Sequence, residues 1–160
     1  MPRKILLLIC SVMLTLCAFA QKDNPVAWTM SIKMTSATEG VLTIHASMEP
    51  GWHLYGTQLP DGGPQPTTIA LSATKGVEFI GKLTPSVAPT KVNDQMFGIM
   101  LNWWAKPVDF TCKVSVKNAP KNWKIIANIE NMACNDETCM PPSSTELTVL
   151  SVQSVKATKK

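Results

Sequence analysis

The chain has 160 residues, of which 45% are hydrophobic and 16% are charged, and its formal net charge is +4 at pH 7. This length and apolar content suit one well-buried domain better than two. The charge excludes the strongly basic surface typical of nucleic-acid-binding proteins, because it falls to about +2 on about 140 residues once two basic residues at the N-terminus are set aside.

Residues 1–20 have the pattern of a secretory signal peptide. A basic start at Arg3 and Lys4 leads into an apolar stretch, and residues 18–20 form a small-x-small cleavage site. Cleavage there leaves residues 21–160 as the mature domain, which we expect to be exported to the periplasm.

An anchored protein is less favoured than a cleaved one. A lipoprotein attached through Cys17 is the main alternative, but Leu16 stands where such a signal has a small residue. A membrane-spanning anchor is disfavoured as well, since the apolar stretch of roughly a dozen residues is shorter than the ~20 needed to span a bilayer.

The mature sequence alternates apolar and polar residues, which is typical of half-buried strands. The alternation predicts a first hairpin from residues 28–34 and 42–48, and a second strand pair from residues 69–71 and 77–80. Further strands are predicted over residues 110–116, 123–133 and 146–152. Seven or more short strands separated by turn signals favour a single all-β domain with an immunoglobulin-like β-sandwich fold.

Two shorter segments stand out between these strands. Residues 52–55 form a piece of extended chain after a Pro-Gly break, and residues 88–98 are predicted as a loop because their periodicity is weak. The loop carries the apolar pair Met96 and Phe97, and loops often carry functional residues.

Export leaves three cysteines in the mature chain, which is an odd number. Cys134 and Cys139 are separated by four polar residues, a spacing that suits a hairpin whose strand ends form a disulfide. Cys112 belongs to a core-facing set, so we expect it to remain a buried thiol. Asp136 and Glu137 lie between the paired cysteines and disfavour thiol ionisation, so the reduced pair should react slowly until a partner or local base takes the proton.

Three runs of the sequence resemble the N-terminal periplasmic domain of the thiol:disulfide interchange protein DsbD. They are residues 51–55 (GWHLY), 94–98 (DQMFG) and 132–143 (MACNDETCMPPS), and they occur in the same order as in that family. The family often has five residues between its two cysteines, whereas this chain has four. The likeness covers most of the mature chain.

The resemblance implies an immunoglobulin-like fold in which Cys134 and Cys139 cycle between dithiol and disulfide. Electrons would come from a membrane-embedded thiol reductase and pass to oxidised exported thiol proteins, without a cofactor, a metal or nucleic acid. The protein would then act as a protein-disulfide reductase or another component of thiol–disulfide interchange. Because no membrane-spanning block or CxxC domain follows in this sequence, we expect the electron donor to be a separate polypeptide.

The resemblance also implies a cap over the cysteines, formed by Asp94, Gln95, Met96, Phe97 and Gly98. Met96 and Phe97 would be its apolar lid, and the sequence leaves open which of them covers the sulfurs.

His53 and Tyr55 alternate with a leucine and therefore point to one face of their strand, which the resemblance places beside the cysteines. Either could assist proton transfer or hydrogen-bond a sulfur, although a partly exposed polar pair is the simpler interpretation for His53. We expect Cys139 to be the cysteine that links to partners, because it lies past the acidic residues and its strand is expected nearer His53 and Tyr55.

Two other classes of function remain open. Soft sulfur ligands with a histidine suit Cu(I), so a copper-binding module is one alternative. Its candidate ligands lie close in sequence to the cap or the cysteines: Met96, Met100, Met132 and Met140. The other alternative is a structural sandwich with a fixed disulfide. A reversible change in free-thiol count without retained metal would distinguish thiol exchange from both.

Overall fold

The computed structural model describes residues 24–151, so the predicted signal peptide, the Cys17 alternative and residues 152–160 lie outside the described part. No helix within that part is long and apolar enough to cross a membrane. The described residues form eleven strands: β1 (Val26–Met34), β2 (Glu39–Met48), β3 (His53–Tyr55), β4 (Thr68–Ala73), β5 (Val77–Pro85), β6 (Thr90–Asp94), β7 (Ile99–Trp104), β8 (Val108–Val116), β9 (Lys124–Asn131), β10 (Ala133–Cys134) and β11 (Ser143–Leu150).

The strands form three antiparallel sheets, with the orders β1-β2-β8-β5, β10-β3-β7-β6 and β11-β9-β4. The first sheet forms one layer of a sandwich, because its inward side chains pack against those of the other two sheets. Alternation produces this packing: on β2, Leu42, Ile44 and Ala46 are fully buried while their neighbours are partly exposed. Burying such side chains is the main source of stability, at about 1.5–3 kcal/mol for each large one.

A smaller cluster lies at the sheet β10-β3-β7-β6, apart from the two main core clusters. Its buried members are Tyr55, Leu101 and Cys134. Because β3 and β10 are only three and two residues long, their positions depend on their neighbours. The backbone N–H of Tyr55 donates to the carbonyl of Met132, and Leu54 is fully buried in the main core. The main core therefore anchors the strands that carry this cluster.

The structure confirms some predicted strand pairs and corrects others. β1 and β2 pair along their whole length, as predicted. The predicted pairing of residues 69–71 with 77–80 is wrong, because β4 pairs with β9 and β5 pairs with β8, in different sheets. Residues 88–98 are only partly a loop, since β6 lies within them and pairs with β7. Alternation indicates which side chains face inward but carries little information about the partner strand.

Candidate active site around the Cys134–Cys139 disulfide

Cys134 and Cys139 form a disulfide across a four-residue hairpin loop, as predicted, with their Cα atoms 4.0 Å apart. The loop is closed by a hydrogen bond from the Asn135 N–H to the Thr138 carbonyl. The side-chain oxygen of Asn135 accepts hydrogen bonds from the backbone N–H groups of Glu137 and Thr138, at 2.9 and 2.8 Å. This Asx-type capping stabilises the loop through its own backbone.

The two sulfurs differ in exposure. Cys134 is 1% exposed, whereas Cys139 is partly exposed. The Sδ of Met96 lies 3.2 Å from the Sγ of Cys139. Met96 is itself 49% exposed, so a solvent-exposed side chain covers part of the outer sulfur.

The cap turn, residues 94–98, is held by the buried carboxylate of Asp94. One carboxylate oxygen accepts hydrogen bonds from the N–H groups of Met96 and Phe97, at 2.8 and 3.0 Å, and the other accepts one from the Tyr55 hydroxyl at 2.9 Å. Gly98 ends the turn with a φ of 69°, a left-handed conformation that favours glycine. These hydrogen bonds hold the backbone of the turn, from which the Met96 side chain projects as an exposed apolar group.

Phe97 takes the opposite direction from Met96. Its ring packs edge-on against Tyr55, with ring centroids 6.1 Å apart, and joins the small cluster that contains Cys134. Burial and the hydrogen bond to Asp94 raise the pKa of Tyr55 above its ordinary range, so its hydroxyl stays protonated and keeps donating. Of the two candidate lid residues, Met96 is in contact with the sulfur of Cys139. Phe97 packs instead on the small cluster formed by Tyr55, Leu101 and Cys134.

His53 is directly opposite Cys134 in the β3–β10 pair. Its ring stacks on Trp103 at 3.9 Å and meets Tyr55 edge-on at 5.1 Å. The Nε2 atom is buried and has no hydrogen-bond partner among residues 24–151, which costs about 1–3 kcal/mol. Burial lowers the pKa of His53 below its ordinary value, and the carboxylates of Asp94 and Asp136 partly oppose that shift.

A cavity of about 540 Å³ connects these groups. His53, Tyr55, Asp94 and Met96 line it together with Cys134. Two of the anticipated site residues differ in position: Asp136 lines the cavity, whereas Glu137 lies exposed at the hairpin loop. The site thus combines a disulfide, a buried imidazole, a buried carboxylate and an exposed thioether.

Residues 21–151 match the family model described as thiol:disulfide interchange protein DsbD, N-terminal. The chain belongs to this family. The prediction of a single-domain, immunoglobulin-like, all-β fold is thereby confirmed. Membership in the DsbD N-terminal family also places the chain among proteins of thiol:disulfide interchange, and the Cys134–Cys139 disulfide fits that assignment.

Three solved structures are similar to the chain at low sequence identity, and the first of them, with a TM-score above 0.5, shows the same fold. The N-terminal periplasmic domain of ScsB from Proteus mirabilis superposes with a TM-score of 0.57 at 16% identity, covering 84% of this chain and 50% of that one. The reduced N-terminal domain of DsbD from Neisseria meningitidis gives 0.45 at 13% identity, covering 78% and 85%. The complex of the DsbD and PilB N-terminal domains from that species gives 0.45 at 12%, covering 75% and 80%. No curated protein sequence matches the chain.

This member of the DsbD N-terminal family has a site residue that sequence reasoning missed. Trp103 lies on β7 next to β3 and stacks on His53. Adjacent tryptophans on one strand must point to opposite faces, and Trp104 is the one buried in the main core. That rule could have indicated Trp103 as a residue of the opposite face. The expectation that His53 lies nearer Cys139 is corrected, because the register pairs it with Cys134.

Cys112 lies away from this site, as predicted. It is a free, buried cysteine on β8, and burial raises the pKa of its thiol. In the described part of the chain, no three His, Cys, Asp or Glu side chains are grouped so as to hold a metal ion.

Proposed function

We propose that this member of the DsbD N-terminal family carries electrons by cycling Cys134 and Cys139 between disulfide and dithiol. It accepts two electrons from a membrane-embedded thiol reductase and delivers them to oxidised exported proteins in the periplasm. The observation that supports this most is the position of the disulfide: it lies beside a cavity, under one movable side chain, and outside the main core.

Exchange through Cys139 is favoured over exchange through Cys134. A partner thiolate must approach the attacked sulfur, and only Cys139 is partly exposed. The contacting Met96 has three rotatable bonds in its side chain and can swing aside without breaking any hydrogen bond of Asp94. Access to Cys139 therefore requires a side-chain rotation and no unfolding of the cap turn.

The exchange consists of reduction by a donor and delivery to an acceptor. A donor thiolate attacks the Sγ of Cys139, Cys134 leaves as a thiolate and takes a proton, and the donor's second thiol then releases Cys139 by forming the donor disulfide. Delivery reverses the roles: Cys139 attacks the acceptor disulfide, and Cys134 displaces the reduced acceptor. Two electrons and two protons move in each half-cycle.

The test is a trapping experiment with single-cysteine variants in cells. Cys134→Ala should accumulate mixed disulfides through Cys139, and Cys139→Ala should trap far less. A Cys112→Ala variant with both site cysteines intact serves as the matched control and should trap nothing. Equal trapping by the two single variants would refute the assignment of Cys139, and no trapping by either would refute exchange.

The fixed-disulfide alternative makes a different prediction for the purified protein. A mild dithiol should add two free thiols reversibly if the pair cycles. A count that changes only after the protein is unfolded would support a structural disulfide instead.

Copper binding is the second candidate because one observation favours it. On reduction, Cys139 would offer a thiolate beside the thioether of Met96, a soft donor pair, with the unpaired imidazole of His53 opposite Cys134. Retention of stoichiometric Cu(I) by the reduced protein, lost in Met96→Leu, would support this candidate. The exposed Met100→Leu is the matched control, being 57% exposed and not in the cavity lining.

A further inference from the structure

The position of His53 indicates a role at Cys134, the buried cysteine of the pair. Directly opposed residues of an antiparallel pair project their side chains to the same face, with Cβ atoms about 5 Å apart. The register opposes His53 to Cys134, and both residues line the same cavity. The imidazole is therefore a neighbour of the buried sulfur, while the exposed sulfur is carried by Cys139, which lies outside the named strands in an isolated bridge with Cys134.

The imidazole is fixed in place but not hydrogen-bonded through Nε2. Trp103 stacks on one face of the ring at 3.9 Å, and Tyr55 meets it edge-on. Nε2 is buried without a partner among residues 24–151, and His53 as a whole is 8% exposed. Buried polar atoms usually have partners, so a rigid, unpaired ring nitrogen at a reactive cavity is ready to accept a proton.

The other titratable groups that face His53 are less suited to this task. Asp94 on β6 already accepts three hydrogen bonds, and Tyr55 on β3 donates to it. Asp136 lies in the hairpin loop and is exposed. Burial holds the His53 pKa below its ordinary value, so at neutral pH the ring is neutral and one of its nitrogens has a free lone pair.

We propose that His53 accepts the proton of the Cys134 thiol and so produces the thiolate that resolves the mixed disulfide. This inference rests on the proposed exchange function. In the step, Nε2 takes the thiol proton, the Cys134 thiolate attacks the Sγ of Cys139, and the partner leaves as a thiolate. The lone pair of the Cys134 thiolate forms the new Cys134–Cys139 bond, and the partner sulfur keeps the electron pair of the mixed disulfide bond that breaks. The imidazolium returns the proton to the leaving thiolate or to water.

The test follows two phases of one reaction. The reduced protein is mixed with 5,5′-dithiobis(2-nitrobenzoic acid): attack by Cys139 releases the first thionitrobenzoate, and resolution by Cys134 releases the second. His53→Phe, which can retain an aromatic stack on Trp103, and His53→Gln should leave the first phase unchanged and slow the second at least about ten-fold at pH 7. His45→Gln, at the partly exposed histidine, is the matched control and should alter neither phase.

The pH profile separates proton transfer from a structural role. In the unchanged protein the second phase should level off above the pKa of His53, because neutral imidazole supplies the base. In both His53 variants it should instead rise about ten-fold per pH unit from pH 6 to 8, as direct thiol ionisation requires. The wild-type profile alone tests the idea if a variant fails to fold.

The outcomes are distinct. A wild-type second phase that rises across this whole range, or variants whose second phase matches the wild type, would refute the role of His53 and leave exchange intact. A wild-type protein that, after reduction, shows no second release would refute the exchange function itself.

Discussion

Cys112 and Cys134 are buried to a similar degree, 6% and 1% exposed, but in regions of different construction. Cys112 is surrounded by apolar side chains of the sandwich core, and its thiol contacts the carbonyl of the adjacent Lys113. Cys134 lies at the edge of a short-stranded sheet, bonded to Cys139 and opposite His53.

The difference shows that burial alone does not decide what a cysteine does. The buried residues around Cys112 are apolar, and their burial away from water stabilises the core. A thiol in such surroundings behaves as a small hydrophobic group. Around Cys134, the imidazole of His53 has a buried nitrogen without a hydrogen-bond partner among residues 24–151, which costs stability. Such costs are typical of functional sites, and the following experiments test whether the two regions respond as differently as their structures suggest.

The largest expected difference is in thiol exchange. Replacing Cys134 or Cys139 with alanine should abolish turnover of a disulfide substrate, whereas Cys112→Ala should leave the rate within about two-fold and cost roughly 1 kcal/mol of stability through a small cavity. Turnover and denaturant unfolding of the three variants measure both effects. If Cys112→Ala lost turnover of the disulfide substrate as completely as the other two variants, thiol exchange would not be confined to the region of Cys134 and Cys139.

The next largest effect concerns the polar framework of the site. Asp94→Ala leaves the buried Tyr55 hydroxyl and two turn N–H groups without their acceptor, so we expect a loss of about 3 kcal/mol in the free energy of unfolding. Asp109→Ala removes a partly exposed carboxylate bonded to His45 on the outer face of the sandwich and should cost less than about 1 kcal/mol. Similar losses would mean that Asp94 does not hold the cap.

A smaller effect is expected at the lid. Met96→Ala should speed alkylation of Cys139 in the reduced protein by about ten-fold or less, since its thioether shields the sulfur but is itself half exposed. Met100→Ala is the control, because that side chain is at least as exposed. Phe97→Ala should reduce stability more than it alters alkylation, given its packing on Tyr55. Equal alkylation in all three variants would exclude a lid.

The sandwich could be predicted from the sequence because its rule is local. Period-two alternation placed Ile44 and Cys112 inward, and both are buried. The disulfide was predictable as well, since four residues between cysteines leave few geometries. Strand partners were not, because nothing within residues 69–80 distinguishes a local hairpin from a crossing between sheets.

The site was harder to predict because it depends on register. Which cysteine faces His53 follows from the pairing of two very short strands, and no local pattern encodes that pairing. Met96 contacts Cys139 whereas Phe97 packs on Tyr55, and this difference depends on the turn conformation. The hydrogen bonds from both backbone N–H groups to Asp94 fix that conformation and with it the direction of each side chain. The sequence did not predict Trp103 as a site residue, because the alternation does not indicate β7 as a strand.

The smallest expected effect is the pH dependence of stability, which should differ in sign between the regions. Burial lowers the pKa of His53 in the folded protein, so below about 6.5 the unfolded chain binds more protons and stability falls as the pH drops toward the folded pKa. Burial raises the pKa of Cys112, so the folded state binds more protons above about pH 8.5 and stability falls as the pH rises.

Denaturant unfolding between pH 5 and 9 measures the acid limb, which is the loss of stability below about pH 6.5, and the start of the alkaline limb above about pH 8.5. Stopping at pH 9 limits the contribution of Tyr55, whose ordinary pKa is 10.0. His53→Gln should flatten the acid limb alone and Cys112→Ala the alkaline limb alone, while His45→Gln should leave the His53 contribution to the acid limb in place. Because each variant removes one titrating group from one region, a variant that flattens both limbs would show that the two regions are coupled. Independent limbs would mean that protonation at the site and protonation in the sandwich core affect stability separately.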